Sequence, residues 1–142
     1  MNEIELALNA RAKENVIDPR LDRMELLADA LGSPQLSYPT IHIGGTNGKT
    51  STSRFIDSLL FSMGMRTGRF TSPHLEDFRE RICINGAPIS QEALEFTYND
   101  IKAYFHFVDS KSDQPLSYFE VVTALAFAAF AEHPVDVGIF EV

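Results

Sequence analysis

One short segment constrains the fold of this chain more than any other: residues 45–51, which read Gly-Thr-Asn-Gly-Lys-Thr-Ser. It follows the run Ile41–Ile43 and precedes an amphipathic stretch from Phe55 to Met63. This order predicts a strand, a loop and a helix. Small residues let backbone N–H groups converge on a polyanion, Lys49 adds positive charge, and the helix N-terminus points at the same place. We therefore expect the loop to bind the phosphates of a nucleotide.

The segment departs from the common phosphate-loop pattern G-x-x-x-x-G-K-[ST] at its first position. That pattern requires glycine at position 43, whereas this chain has Ile43 followed by the pair Gly44–Gly45. An ordinary turn is the alternative, because Gly and Asn adopt positive φ at low cost. A lysine followed by two hydroxyls at a helix start favours phosphate binding, since a metal-bound triphosphate requires those groups.

Composition indicates one globular domain without general affinity for nucleic acid or membranes. The 142 residues are 44% hydrophobic, which suffices for a core. A net charge of −8 argues against sequence-independent binding to nucleic acid or to an anionic membrane. Acidic residues lie near the N-terminus, where a secretory signal would carry positive charge, so we expect no such signal. No apolar run is long enough to cross a bilayer, so we expect no membrane span. The single cysteine, Cys83, is expected to pack in a strand, and we expect a cytoplasmic protein.

Helix and strand signals alternate along the chain and predict an α/β fold with a mostly parallel sheet and flanking helices. The expected helices span residues 4–13, 19–31, 50–63, 88–108 and 117–131, and the expected strands span 41–43, 67–71, 81–85 and 135–142. The second helix has clear end signals: Asp18 is expected to cap its N-terminus, Pro19 to be its first residue, and Gly32 to end it. A polar loop is expected over residues 109–115.

Glu141 is the acidic residue that this pattern places near the phosphate loop. It follows the apolar pair Ile139–Phe140 and should lie at the carboxyl edge of a parallel sheet, where ligands of such folds bind. Magnesium takes hard oxygen ligands, often one or two from protein and the rest from phosphate and water. We therefore expect Glu141 to bind Mg²⁺ beside the loop. A surface acid at a strand end is the alternative.

Several segments together resemble the folylpolyglutamate synthase and dihydrofolate synthase family, which is related to the cell-wall Mur ligases. In chain order they are residues 45–49, 71–75, 77–82, 85–86 with 88–90, 119–120 with 123–127, and 136–142. The chain departs from the folate enzymes at Thr50, where they typically have Gly and the Mur ligases have Thr. The resemblance implies an N-terminal helical segment over 1–39 and, over 40–142, the N-terminal part of a Mur-type phosphate-loop ATP-binding domain.

The resemblance also implies where substrates and metal bind. Lys49 would offset the charge of the transferred phosphoryl group. Four loop residues would hold the ATP phosphates: Asn47, Gly48, Lys49 and Thr50. Two oxygen donors would bind Mg²⁺: Ser72 and Glu141. Four residues at the start of the buried helix would help form the pteroate pocket: Ser117, Tyr118, Phe119 and Glu120. A local explanation stays open for these four, because Ser117 and Glu120 have the spacing of a capping box and the two aromatic residues suit a core.

The implied reaction is ATP-dependent amide formation. Phosphorylation of the carboxylate of dihydropteroate or a folate gives an acyl phosphate, which the amino group of L-glutamate then attacks. The partners would be small molecules, with no nucleic acid or membrane, and the full-length enzyme would be a monomer. Three alternatives stay open: a Mur-type ligase with a muropeptide acceptor, a phosphate-loop kinase, and a binding module without activity. The aromatic pair Tyr118–Phe119 and the Ser72–His74 loop weigh against the Mur ligase.

The family resemblance generates a first prediction, on the activity of the chain by itself. Family members continue past the position of Val142 with a glycine-rich segment, further metal and phosphate ligands and a C-terminal glutamate ligase domain. We therefore expect the 142-residue chain to show little or no ligase activity. Folate-dependent release of ADP by the purified chain measures this, and robust turnover would show the expectation to be wrong.

Overall fold

The computed structural model describes residues 2–11, 20–45, 47–71 and 77–142, and a five-stranded sheet lies at its centre. The strands are β1 (Thr40–Ile43), β2 (Thr67–Phe70), β3 (Ile82–Ile84), β4 (Ala87–Pro88) and β5 (Val137–Glu141). Their order across the sheet is β1-β5-β2-β3-β4. Strands β1, β5 and β2 are parallel, whereas β3 and β4 add to β2 as antiparallel strands. The predicted α/β fold is confirmed, with an antiparallel edge on a parallel core.

The described residues form five α-helices, of which α3 and α5 contact the sheet: α1 (Glu3–Asn9), α2 (Asp22–Ala30), α3 (Lys49–Ser62), α4 (Gln91–Lys111) and α5 (Tyr118–Glu132). Helix α1 ends four residues before its predicted end at Lys13. Helix α2 begins at Asp22, and the predicted cap and first residue, Asp18 and Pro19, lie outside the described residues. None of the described helices has the length and apolar character needed to cross a bilayer.

The segment before α4 differs from its prediction. We expected the helix to begin at Pro88, but Asn85 and Gly86 turn the chain at φ values of 52° and 82°, and Ala87–Pro88 then pairs with β3. Both turn residues tolerate positive φ, and proline is accepted on an edge strand because no ladder N–H is required there. The side chain of Ser90 then caps α4 by accepting a hydrogen bond from the Ala93 amide at 3.1 Å.

Helix α4 also runs further than predicted, because long-range contacts hold its last turn. The Asp109 carboxylate pairs with Arg11 at 3.0 Å and accepts the Leu116 amide at 2.8 Å. Arg11 follows α1 and Leu116 precedes α5, so both partners lie outside α4. Because these contacts hold its last turn in place, the polar residues from 109 onward do not end the helix at Val108. The predicted loop begins at Ser112 instead.

The two faces of the sheet carry different helices. Gly68 of β2 faces α5 so closely that an added Cβ would lie 2.6 Å from the Phe130 ring. Its neighbours Thr67 and Arg69 point to the opposite face, where both contact Asp57 of α3. Helix α5 carries nine buried residues and forms the centre of the core, as its apolar composition predicted. Helix α3 therefore covers this second face of the sheet, opposite α5.

Buried polar contacts attach α3 to the sheet. Asp57 is 3% exposed and accepts hydrogen bonds from Thr67 Oγ1 and, at 2.8 Å, from Arg69 Nε. Cys83 lies opposite Arg69 across β2 and β3, and burial raises the pKa of its thiol. A buried thiol held in its protonated form suits the predicted packing position in a strand rather than a nucleophile.

The ion pair between Asp57 and Arg69 generates a prediction on stability. Replacement Asp57→Ala leaves the Arg69 guanidinium buried without its carboxylate, so we expect a loss of about 3–5 kcal/mol in the free energy of unfolding. Asp136→Ala is the exposed comparison: its ion pair with Arg66 should contribute only about 0–1 kcal/mol, and the hydrogen bond that it accepts from the Arg66 amide at 2.7 Å about 1 kcal/mol more. Urea unfolding followed by circular dichroism measures both, and similar losses would contradict the expectation.

Candidate functional site

The loop after β1 leads directly into the N-terminus of α3. Gly48 precedes the helix at φ 74°, a left-handed conformation that favours glycine, and no side chain caps the helix. The backbone N–H groups of the first turn therefore have no capping partner from the described residues and can donate to a bound anion. A Cβ added at Gly44, Gly45 or Gly48 would meet no atom within 4 Å, so the described residues leave the space around the loop open.

Lys49 is the positive charge at this loop. It is the first residue of α3 and is half-buried. Its ammonium group forms neither a hydrogen bond nor an ion pair with another part of the chain that the structure describes. The predicted phosphate-binding residues Asn47, Gly48, Lys49 and Thr50 thus lie together at one helix N-terminus, with a cation that is available to a ligand.

The end of β5 brings a carboxylate to the same place. Glu141 pairs in register with Ile43, the last residue of β1, and is 2% exposed. Its Oε1 accepts a hydrogen bond from Thr50 Oγ1 at 2.8 Å, and its Oε2 accepts one from Ser53 Oγ at 3.1 Å. Thr50, a predicted phosphate-binding residue, and Glu141, a predicted metal ligand, are therefore in direct contact in the structure.

The surroundings of Glu141 fit a divalent cation. Within the described ranges no Arg or Lys pairs with this buried carboxylate, and a buried anion without a positive partner is costly. Its hydrogen-bond partners in the described residues are the hydroxyl groups of Thr50 and Ser53, and carboxylate and hydroxyl oxygens are hard donors of the kind that Mg²⁺ accepts. No group of three or more His, Cys, Asp or Glu residues clusters there or elsewhere in the described part of the chain. The second predicted ligand, Ser72, lies outside the described residues.

The start of α5 forms the capping box that its sequence allowed. Ser117 Oγ accepts the Glu120 amide at 3.2 Å, while the Ser117 amide donates to Glu120 Oε1 at 2.9 Å. The same carboxylate pairs with Arg23 of α2 at 2.9 Å, and both side chains are largely buried. Ser117 and Glu120 therefore have a structural role at this helix terminus, and their role in a pteroate pocket stays a prediction.

The two aromatic residues of this segment differ in their surroundings. Tyr118 is 5% exposed, and the Arg81 guanidinium lies 5.3 Å from the centre of its ring. Phe119 is half-buried and packs against Phe70, with 6.1 Å between ring centres. Phe70 ends β2 and contacts Phe140, the residue before Glu141. The start of α5 and the phosphate loop thus lie along the same carboxyl edge of the sheet.

Sequence reasoning missed two residues that contact the predicted site. Ser53 donates to Glu141, and its position one turn after Thr50 on the buried side of α3 was the signal available. Arg23 pairs with Glu120 across 97 positions of sequence, and no local pattern connects residues so far apart.

Known proteins of similar sequence decide the family. The dihydrofolate synthase/folylpolyglutamate synthase of Mycobacterium tuberculosis is 49% identical over 147 residues, covering 99% of this chain and 30% of that protein. The enzyme of the same name from Bacillus subtilis is 43% identical over 126 residues, covering 88% and 29%. This chain belongs to the folylpolyglutamate synthase and dihydrofolate synthase family. No general family model matches it.

Solved structures of folylpolyglutamate synthases confirm the fold. The Mycobacterium tuberculosis enzyme complexed with ADP and AMPPCP has a TM-score of 0.90 at 48% identity, covering 99% of this chain and 30% of that one. A folylpolyglutamate synthase complexed with AMPPCP and folate has a TM-score of 0.88 at 33% identity, covering 100% and 35%. The chain thus corresponds to an N-terminal portion, about a third in length, of the synthases it matches.

The capping box at α5 generates a prediction on the contribution of Ser117 to stability. Ser117→Ala removes the oxygen that accepts the Glu120 amide, so we expect the free energy of unfolding to fall by about 1 kcal/mol. Ser117→Asn is the matched control, because asparagine supplies an equivalent acceptor and should retain most of the stability. Urea unfolding of both variants measures this, and an equal loss in both would show that the cap is not what Ser117 contributes.

Proposed function

We propose that this chain is the nucleotide-binding part of an ATP-dependent ligase that adds L-glutamate to dihydropteroate or to a (poly)glutamylated folate. One observation carries the proposal: within the described residues, the N-terminus of α3 has no side-chain cap, Lys49 has no hydrogen-bond or ion-pair partner, and the buried Glu141 that contacts this helix has no cationic partner. Family membership supports the reaction, and the relatives solved with ADP, AMPPCP or folate support the substrates.

The domain organisation belongs to the same proposal. Residues 1–39 would make up an N-terminal helical segment, whose described helices α1 and α2 both contact α5, and residues 40–142 would contribute the first part of the ATP-binding domain. A C-terminal domain that holds glutamate would lie outside these residues. We further propose that the full enzyme works as a cytoplasmic monomer on small molecules, without nucleic acid or membrane partners.

In this proposal the loop residues position ATP for transfer of its γ-phosphoryl group. The amides of Asn47, Gly48 and Thr50 donate to phosphate oxygens, and the Lys49 ammonium offsets the negative charge that gathers on the transferred group. Mg²⁺ would be held by Glu141 and Ser72 and would neutralise further phosphate charge. The acceptor carboxylate attacks phosphorus and ADP leaves, which gives an acyl phosphate. The amino group of L-glutamate then attacks the acyl carbon, and phosphate leaves as the amide forms.

Phe119 is the residue of the α5 segment best placed to contact a flat heteroaromatic acceptor. Its ring is half-buried at the carboxyl edge of the sheet, whereas Tyr118 is enclosed beside Arg81. The accessible part of an aromatic ring at this edge can stack on a pteridine ring. Ser117 and Glu120 would support this contact by fixing the start of the helix.

A Mur-type ligase is the second candidate, and Thr50 is the observation that favours it. Mur ligases have threonine at this position, and here the Thr50 hydroxyl contacts Glu141 directly. The two candidates differ in the acceptor, so binding of dihydropteroate and of a nucleotide-linked muropeptide precursor separates them. Binding of the muropeptide alone would overturn the folate assignment.

Lys49 generates a prediction on nucleotide binding. Because its ammonium would contact phosphate, Lys49→Ala should weaken binding of the ATP analogue AMPPCP with Mg²⁺ by about 10- to 100-fold. Lys102→Ala is the matched control, since Lys102 lies exposed on α4, and it should leave the affinity unchanged. Isothermal titration calorimetry measures both, and equal affinity of the Lys49 variant and the parent chain would contradict nucleotide binding at this loop.

A further inference from the structure

Ser53 differs from every other hydroxyl residue of α3. It is completely buried, whereas Thr50, Ser51, Thr52, Ser58 and Ser62 are exposed. Its Oγ lies 3.1 Å from Glu141 Oε2 and 3.0 Å from the Thr50 carbonyl oxygen. A serine inside a helix commonly donates to a carbonyl oxygen of the preceding turn, so a second acceptor from another element requires an explanation.

The two oxygens of Glu141 have different surroundings. Oε2 contacts the enclosed hydroxyl of Ser53, while Oε1 contacts the hydroxyl of Thr50, which is exposed beside the phosphate loop. The carboxylate is therefore oriented with one oxygen directed into the protein and the other directed toward the loop. Ser53 provides the inward contact, and among the described residues no other side chain bonds Oε2.

We propose that Ser53 is a positioning residue, which holds Oε2 of Glu141 so that Oε1 faces the phosphate loop and is presented to the metal ion. This inference rests on the proposed function, because it takes Glu141 as a magnesium ligand. A glutamate side chain has several rotatable bonds, and fixing it before the ion binds lowers the entropic cost of binding. Groups that hydrogen-bond to metal ligands in this way contribute 10- to 100-fold to metal affinity in other proteins.

The proposal makes metal dependence, rather than nucleotide affinity as such, sensitive to Ser53. In Ser53→Ala the amides and Lys49 are unchanged, so binding of AMPPCP in the presence of EDTA should stay within about twofold of the parent chain. The concentration of Mg²⁺ that gives half of its maximal enhancement of AMPPCP binding should rise by about 10-fold. A general distortion of the loop would instead weaken binding both with and without Mg²⁺.

The experiment compares three serine variants of the chain by calorimetric titration of AMPPCP across a range of Mg²⁺ concentrations. Ser58→Ala is the matched control, because it makes the same chemical change on an exposed position of the same helix. Ser53→Cys keeps the buried volume nearly constant and has only a weak donor, so it should give a smaller rise and carries the test if Ser53→Ala does not fold. Circular dichroism establishes that each variant is folded.

The outcomes separate this inference from the function on which it rests. If Ser53→Ala or Ser53→Cys is folded and has the Mg²⁺ dependence of the parent chain, the positioning role is overturned while nucleotide binding at the loop stands. Equal losses with EDTA and with Mg²⁺ would likewise overturn it and assign Ser53 to packing. If the parent chain binds no AMPPCP at any Mg²⁺ concentration, both the positioning role and the proposed function are overturned.

Discussion

The attachment of α3 to the sheet by two buried carboxylates is the interaction on which the candidate site depends. Glu141 of β5 accepts hydrogen bonds from the first two turns of the helix, and one turn further Asp57 of the helix accepts them from β2. Ser53 and Asp57 are the only buried residues of α3. The helix that presents the phosphate loop is thus located by directional polar contacts, and these fix its rotation about its own axis more tightly than apolar packing would.

Local sequence signals predicted the order of the elements well but not all of their ends. The phosphate loop, the Asn85–Gly86 turn and the Ser117 cap depend on residue types at short spacing, which sequence reading detects. The end of α4 depends instead on Asp109, whose partners are distant in sequence. Likewise, proline suits the first turn of a helix, which favours a helix beginning at Pro88, whereas in the structure Ala87–Pro88 pairs with β3. Tertiary contacts overrode local preference in both cases.

The candidate site shows the same division. Asn47, Gly48, Lys49 and Thr50 are neighbours in one segment, so the family resemblance predicts them together as phosphate-binding residues, and that role stays a prediction. Glu141 could be placed because strand ends of a parallel sheet meet at one edge. The role of Ser53 could not be predicted, because no local pattern distinguishes it from the other serines of α3. Its contact with Glu141 forms only when β5 packs beside the helix. The capping box at α5 could be predicted from residues 117–120 alone. The ion pair between Glu120 and Arg23 could not, because the two residues are distant in sequence and meet only in the folded chain.

Thr50 is the residue at which this chain differs from the folate enzymes that it resembles, and its hydroxyl lies beside the proposed metal ligand Glu141. The folate enzymes that it resembles typically have glycine there, which would leave Glu141 Oε1 without a hydroxyl partner on the loop side. In this chain the Thr50 hydroxyl donates to Oε1 at 2.8 Å. A hydroxyl is both a donor and an acceptor, so on arrival of a cation it can turn its hydrogen away and present a lone pair instead. Under the proposed function the substitution therefore adds a hard oxygen beside the carboxylate without removing the backbone amide that phosphate requires.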